Sequence, residues 1–363
     1  MHNRTSLMKA ILCSFISITL VFSSLPPVHG EEAQSGYVSI PYDEQAYSQE
    51  ELDEIRRMED MQVSLFSAEG GGQDIPSSYG DIEEIEKQFP AVEDQGDYDT
   101  CWAFAATTCA AFDLISEGAV TKENGDFSQM QLIYNICHTA ADKIGNLGED
   151  RITSESRYKS GNNTAYSQHI LANWKGLTKE TVYPYTQIAD FQPGPKIAYE
   201  NDGARLVNCT AMSKSEHCNR VKQAIMEHGA VQSSYYNADR YYTSAPDGTL
   251  LYYNPNKNSS NHAVVMVGWD DQFSRENWPE ERRPSKDGAW LLRNSYGDKP
   301  YFWISYEDAS HKDTVYVMDF CSEETYDNIY QYDGSPYHIN HTVYKAANVF
   351  TAANPDGSLG AKG

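Results

Sequence analysis

The spacing of hydrophobic positions in this chain changes part-way along. From residue 75 to about 185, apolar side chains recur every three or four positions, which predicts helices over 101–117, closed by Gly118, over 128–140, and over 165–175, closed by Gly176. Beyond that point short runs rich in valine, tyrosine and tryptophan take over: AVQSSYY at 230–236, HAVVMVGW at 262–269, AWLLRNS at 289–295 and YFWISY at 301–306. Glycine, asparagine and proline bound these runs, so they read as strands. A helical half followed by a strand half predicts an α+β fold of two subdomains with a cleft between them.

The ends of the chain follow neither period. Arg4 and Lys9 precede the apolar run AILCSFISITLVF at 10–22, and small Gly30 stands just before Glu31, the order expected of a cleaved secretory signal over 1–30. The run is short for a membrane anchor, and no later stretch reads as one. Residues 31–73 are polar and acidic, with one helical stretch, EQAYSQEELDEIRRMEDMQ, and a glycine run at 70–72; they read as a pro-segment and a cuttable link, or alternatively as a disordered tail. The segment 321–363 is rich in tyrosine, asparagine and turn residues, like the first strands of a separate β module cut short.

Composition narrows the partners. The formal net charge is -24, with acidic residues spread along the whole length, which argues against nucleic acid or anionic membrane. Seven cysteines are too few to build a scaffold of 363 residues. With Cys13 in the leader and Cys101 reserved for chemistry, Cys109, Cys137, Cys209, Cys218 and Cys321 remain. Cys209 and Cys218 are close in sequence and read as a loop pair suited to a local disulfide in an oxidising compartment. Cys109 shares a helical face with Cys101 and reads as core. No spacing resembles a zinc site, and neither metal nor cofactor is expected.

The segment QGDYDTCWAF at 95–104 carries the strongest chemical signal. A cysteine that opens an apolar helix meets unpaired N–H groups and the positive end of the helix dipole, both of which favour thiolate. Gln95, six residues earlier, has a side-chain N–H to offer a developing oxyanion beside the backbone N–H of Cys101. The ordinary alternative is a small buried core cysteine. A thiol nucleophile also needs a base and the base an orienting partner. His262 begins the strand HAVVMVGW, which would hold its ring rigidly. Asn294 ends the strand of WLLRNSYG, where its amide oxygen would accept the imidazole N–H; the ordinary alternative is a turn asparagine.

These pieces, with FSQMQL at 127–132 and the YPY turn at 183–185, resemble the papain-like cysteine peptidases over roughly 75–320. The resemblance implies a helical left half and a β-barrel-like right half, with the active-site cleft between them and a peptidase domain over 74–320. It makes Cys101 the nucleophile, His262 base and then acid, Asn294 the orienter and Gln95 the oxyanion donor, with a thiolate and imidazolium pair at rest. It places the segment that meets the substrate backbone at Asn162 and Asn163, and puts Asp99 beside the first substrate pocket, where it would favour lysine or arginine. YDNIYQYDG also resembles the start of a lectin-like domain in bacterial members, implying a glycan or cell-surface partner.

The chain departs from the family in two places. Tyr98 and Asp99 stand where a cysteine and a glycine are usual, which removes one family disulfide and the partner of Cys137, while Asp97 and Asp99 bring negative charge close to the thiol. Tyr296 replaces the tryptophan that shields the asparagine–imidazole hydrogen bond. The reading is therefore a secreted, monomeric cysteine endopeptidase acting on proteins or peptides. The alternatives are a catalytically impaired homologue that binds at the cell surface and a Cys–His acyl transferase.

Overall fold

The computed structural model describes residues 74–137, 164–172, 176–185 and 203–322. Those from Ile75 onward lie in one compact unit. The segments expected to be a signal and a pro-segment, and nearly all of 321–363, lie outside the described residues.

Helix α1 (Ile82–Gln88) is capped by Asp81, whose carboxylate accepts the Glu84 N–H at 3.0 Å. Helix α2 (Cys101–Ser116) ends where Gly118, at φ 71°, takes the left-handed turn that closes it. Almost every side chain of α2 is buried, so this helix is apolar all round and runs through the core. Its alanines at 103, 105, 106, 110 and 111 let neighbouring strands come close. Helices α3 (Gln129–Cys137) and α4 (Thr164–Ala172) fall where the period places them. Ser128 holds the start of α3: its hydroxyl accepts the Gln131 N–H at 3.0 Å and donates to Tyr183 O at 2.5 Å.

The strands are β1 (Ser78–Tyr79), β2 (Arg205–Ser213), β3 (Val231–Tyr235), β4 (Tyr242–Ser244), β5 (Leu250–Tyr252), β6 (His262–Asp270), β7 (Ala289–Arg293), β8 (Tyr301–Ser305) and β9 (Thr314–Cys321), with α5 (Cys218–His228) between β2 and β3. They form one mixed sheet in the order β2-β9-β3-β6-β7-β8-β5-β4, with β1 added on β6. Among the described residues only β5 and β8 pair in parallel. At the β1 and β6 crossing a Cβ on Gly268 would lie 2.3 Å from Tyr79 O and one on Gly80 2.7 Å from Val267 O, so this approach requires glycine on both chains.

Both faces of the sheet are covered. Ala263, Val265 and Val267 pack with α2, while Val264 and Met266 pack with α5 on the other side. Burial on both faces is why HAVVMVGW is continuously apolar rather than alternating. Asp113, fully buried on α2, ties the two sides together: it bonds His228 Nδ1 of α5 at 2.7 Å and accepts the Phe320 N–H of β9 at 2.6 Å.

Three expectations need correction. Among the described residues the strand-rich half is not a closed barrel: β2 pairs only with β9 and β4 only with β5, and three-residue strands at one edge are too short for the tilt and stagger that closure needs. Cys209 and Cys218 are not bridged; both are free, because Cys209 lies within β2 against the α2 core while Cys218 opens α5 against the opposite core. The strand half also contains a helix, α5, in a segment read as loop. Cys109 is free and buried, as expected of a core residue.

Candidate active site

Cys101 is the first residue of α2, and the first turn carries no acidic side chain. Thr100, at the N-cap position, does not cap the helix with its hydroxyl; that group hydrogen-bonds the Tyr185 hydroxyl at 2.7 Å. The backbone N–H groups of Cys101 and Trp102 therefore face Sγ, and the Ala263 N–H donates to Sγ at 3.4 Å. All three favour thiolate. Burial opposes them and, with the exposed Asp99 adding negative charge, pushes the thiol up to about 11.

His262 is the first residue of β6, which brings it beside Cys101 from the far half of the sequence. Its Nε2 lies 2.7 Å from Asn294 Oδ1, and that oxygen also accepts the Ser295 N–H at 2.8 Å. An atom that accepts a backbone N–H is the carbonyl oxygen, so Nε2 carries the imidazole proton and Nδ1 is the basic nitrogen. Burial pushes the imidazole down to about 4 against the opposing pull of the Asn294 bond. Burial thus disfavours the charged form of each group and opposes the thiolate and imidazolium pair implied by the family resemblance, because both groups are almost fully removed from water.

The Tyr296 ring lies parallel to the imidazole, with centroids 4.7 Å apart and 7° between planes. Its hydroxyl is 3.5 Å from His262 Nδ1, but the nitrogen lone pair lies in the imidazole plane and a stacked hydroxyl lies above it. The contact is therefore stacking, which leaves Nδ1 open in its own plane. Burial, and then the neighbouring Cys101, push the phenol up to about 12, while Asn237 hydrogen-bonds it.

Gln95 is buried and fixed at both ends of its amide. Oε1 accepts the Ser295 hydroxyl at 2.6 Å and Nε2 donates to Tyr98 O at 2.5 Å. An amide nitrogen has two donors, so one N–H remains for a ligand. The backbone is clamped as well: Gln95 N donates to Ser295 O at 2.9 Å and the Tyr185 hydroxyl donates to Gln95 O at 2.8 Å.

The structure thus brings Cys101, His262, Asn294 and Gln95 together, with Asp99 at the exposed rim. Asn162 and Asn163 lie outside the described residues. Two contributors went unassigned in the sequence. Tyr185, from the YPY turn, spans Thr100 and Gln95 on both sides of the stretch 97–99, and Ser295 locks Gln95 and Asn294 at once. Their only sequence signals were membership of YPY and adjacency to Asn294, neither of which names a hydrogen-bond partner.

The signature described as papain family cysteine protease matches residues 75–317. Cathepsin J of Mus musculus is 26% identical over 216 residues, 57% of this chain and 53% of that protein. Among solved structures, the Clostridial cysteine protease Cwp84 after propeptide cleavage aligns with a TM-score of 0.56 at 26% identity, covering 69% of this chain and 59% of that one. The cysteine protease and lectin-like domains of Cwp84, a surface layer associated protein of Clostridium difficile, align with a TM-score of 0.55 at 25% identity, covering 70% of this chain and 53% of that one. The chain therefore spans between half and three-fifths of the length of these relatives.

Proposed function

The chain belongs to the papain family of cysteine proteases, and from that premise we propose that it is a secreted endopeptidase whose nucleophile is Cys101. The carrying observation is the hydrogen bond of 2.7 Å between His262 and Asn294, set beside a cysteine sulfur that touches the next backbone N–H of the same strand at 3.4 Å. Secretion rests on the order of charged, apolar and small residues over 1–30, and the cell surface on the surface-layer association of the Cwp84 relative. The domain division is a signal over 1–30, a pro-segment over 31–73, the peptidase over 74–320 and an extension over 321–363 with a lectin-like start.

Burial disfavours charge on either group, so the reaction is taken to start from the neutral pair. As Sγ of Cys101 attacks the scissile carbonyl carbon, its proton passes to His262 Nδ1, and Asn294 steadies the imidazolium through Nε2–H. The Cys101 N–H and the spare Gln95 N–H face the oxyanion. Collapse of the tetrahedral adduct breaks the C–N bond, and His262 returns the proton to the departing amine. Water, deprotonated by His262, then attacks the thioester and releases the carboxylic acid and the free thiol. Neither metal nor cofactor takes part in these steps.

One observation favours the second reading, a binding protein with impaired catalysis: the burial that holds Cys101 up at about 11. The two are separated by peptide hydrolysis and by an epoxysuccinyl probe. The endopeptidase reading expects labelling at Cys101, internal cleavage of peptides and complete loss of both in Cys101→Ala. Equal hydrolysis by Cys101→Ala and the unaltered protein would overturn it. Transfer to an added amine in place of hydrolysis would point to an acyl transferase.

A further inference from the structure

A cavity of about 20 Å³ is lined by the polar residues Glu93, Thr108, Arg293, Asn294 and Ser295 and by an equal number of apolar residues from α2 and β6. That volume suits one water molecule, and half of the lining residues carry polar side chains. The Asn294 side chain is only half satisfied by protein: Oδ1 takes the two bonds described above, while Nδ2 is buried with no partner among the described residues. Asn294 lines the cavity, and a buried amide N–H is rarely left without a partner. Asn294 as a whole is 6% exposed.

Glu93 is the one carboxylate among these lining residues. Gln129 Nε2 donates to its Oε2 at 2.5 Å. Arg293 does not pair with it directly: that guanidinium bonds Ala91 O at 2.9 Å and the Tyr301 hydroxyl at 3.1 Å, and lies over the Phe112 ring. The other charged groups near Glu93 are Asp126, before α3, and Glu180, before the YPY turn. Burial and then Asp126 raise Glu93 to about 7, against Gln129 and Arg293.

We propose that Glu93 is a positioning residue for the reaction, acting on Asn294 through one water bound in this cavity. The Asn294 Nδ2–H donates to the water oxygen and the water donates to the Glu93 carboxylate, completing a line from His262 through Asn294 to Glu93. This rests on the reading of Asn294 as the orienter of His262. The line fixes which end of the amide faces the imidazole. When Glu93 is ionised it also polarises the amide, which makes Nδ1 a better acceptor for the Cys101 proton. Protonated Glu93 offers a weaker acceptor, so the effect is gained as pH rises through about 7.

The test is the rate of Cys101 alkylation by iodoacetamide across neutral pH, which reads the thiol without requiring peptide turnover. A failed peptidase reading therefore leaves this measurement intact. The unaltered protein is expected to show an added step near pH 7 on a rising profile, and Glu93→Gln to lose the step and to react about three- to tenfold more slowly above it. In an Asn294→Ala background Glu93→Gln is expected to have no further effect. Should Glu93→Gln fail to fold, Thr108→Met, which fills the cavity and displaces the water, is expected to remove the same step. A step retained in Glu93→Gln or in Thr108→Met, or an equal loss with and without Asn294, would overturn the proposal.

Discussion

Tyr296 covers His262 face to face, 4.7 Å between centroids, and so takes the place of the shielding tryptophan usual in papain-like peptidases. The hydroxyl contributes little to this role, because it lies out of the plane in which Nδ1 accepts a proton. Removing the hydroxyl and removing the ring should therefore differ. Tyr296→Phe is expected to keep peptidase activity within about twofold, whereas Tyr296→Ala should lower kcat by about tenfold through lost stacking and water entry at the His262–Asn294 bond. Steady-state kinetics on one peptide would check this; equal losses would assign the role to the hydroxyl.

The resting protonation state is open to direct measurement. With the thiol pushed to about 11 and the imidazole to about 4, neither group is charged over the range between. Alkylation of Cys101 should then keep rising with pH through neutrality and on toward 10. A preformed ion pair would instead give a broad plateau from mildly acidic pH upward, and its appearance would show that the family pairing holds despite the burial.

Gln95 is locked by Ser295 and Tyr98 with one N–H to spare. Gln95→Ala should lower kcat by about a hundredfold with little change in KM, since the lost donor acts on the oxyanion and not on the ground-state substrate. Ser295→Ala frees only one end of the amide and should cost less. A rise in KM alone would remove Gln95 from the oxyanion role.

Asp99 stands exposed beside the thiol and its charge reaches Cys101. A peptide library should show preference for lysine or arginine at the residue before the cleaved bond, weakened in Asp99→Asn. The same substitution should lower the apparent pKa of Cys101, because a negative charge that disfavoured thiolate has gone. A library with no basic preference would end the specificity argument, while the alkylation profile would still test the electrostatic one.

The Asp113–His228 pair links stability to pH. Burial would lower His228, but the Asp113 hydrogen bond and charge raise it above its usual value; Asp113 is itself raised by burial, which outweighs its bonds to His228 and Phe320. In both cases the folded protein holds protons more tightly than the unfolded chain. The His228 contribution is fully present below the ordinary histidine pKa of about 6.5 and is lost as pH rises through its raised value, whereas that of Asp113 is fully present only below the ordinary aspartate pKa of about 3.9 and is lost as pH rises through its own raised value. Thermal midpoints should fall from mildly acidic to mildly alkaline pH, and His228→Ala should flatten that fall while destabilising the fold by about 3 kcal/mol, because it strands a buried carboxylate. An unchanged slope in the variant would place the pH dependence elsewhere.

Legibility in the sequence followed the range of the interaction. Helix α2 was readable because its apolar run, its opening cysteine and its closing Gly118 are all local. HAVVMVGW and WLLRNSYG were readable as strands for the same reason. By contrast β2, α5 and β9 were missed: RLVNCTAMS mixes polar and apolar positions at a partly covered sheet edge, and CNRVKQAIMEH follows too closely on turn residues to stand out. Cys209 and Cys218 looked like partners because nine positions separate them in sequence; the sheet between them is invisible at that distance.

The sequence by itself determined the order of the reactive groups, the helix that begins at Cys101 and the family to which that order belongs, since these depend on residue type and short spacing. Tertiary structure alone decided that burial disfavours charge on both His262 and Cys101, that Tyr185 and Ser295 hold the loop around Gln95, and that Asn294 and Glu93 line one cavity. Desolvation and hydrogen bonding act through space, between groups as far apart along the chain as Gln95 and Ser295, so no local pattern records them.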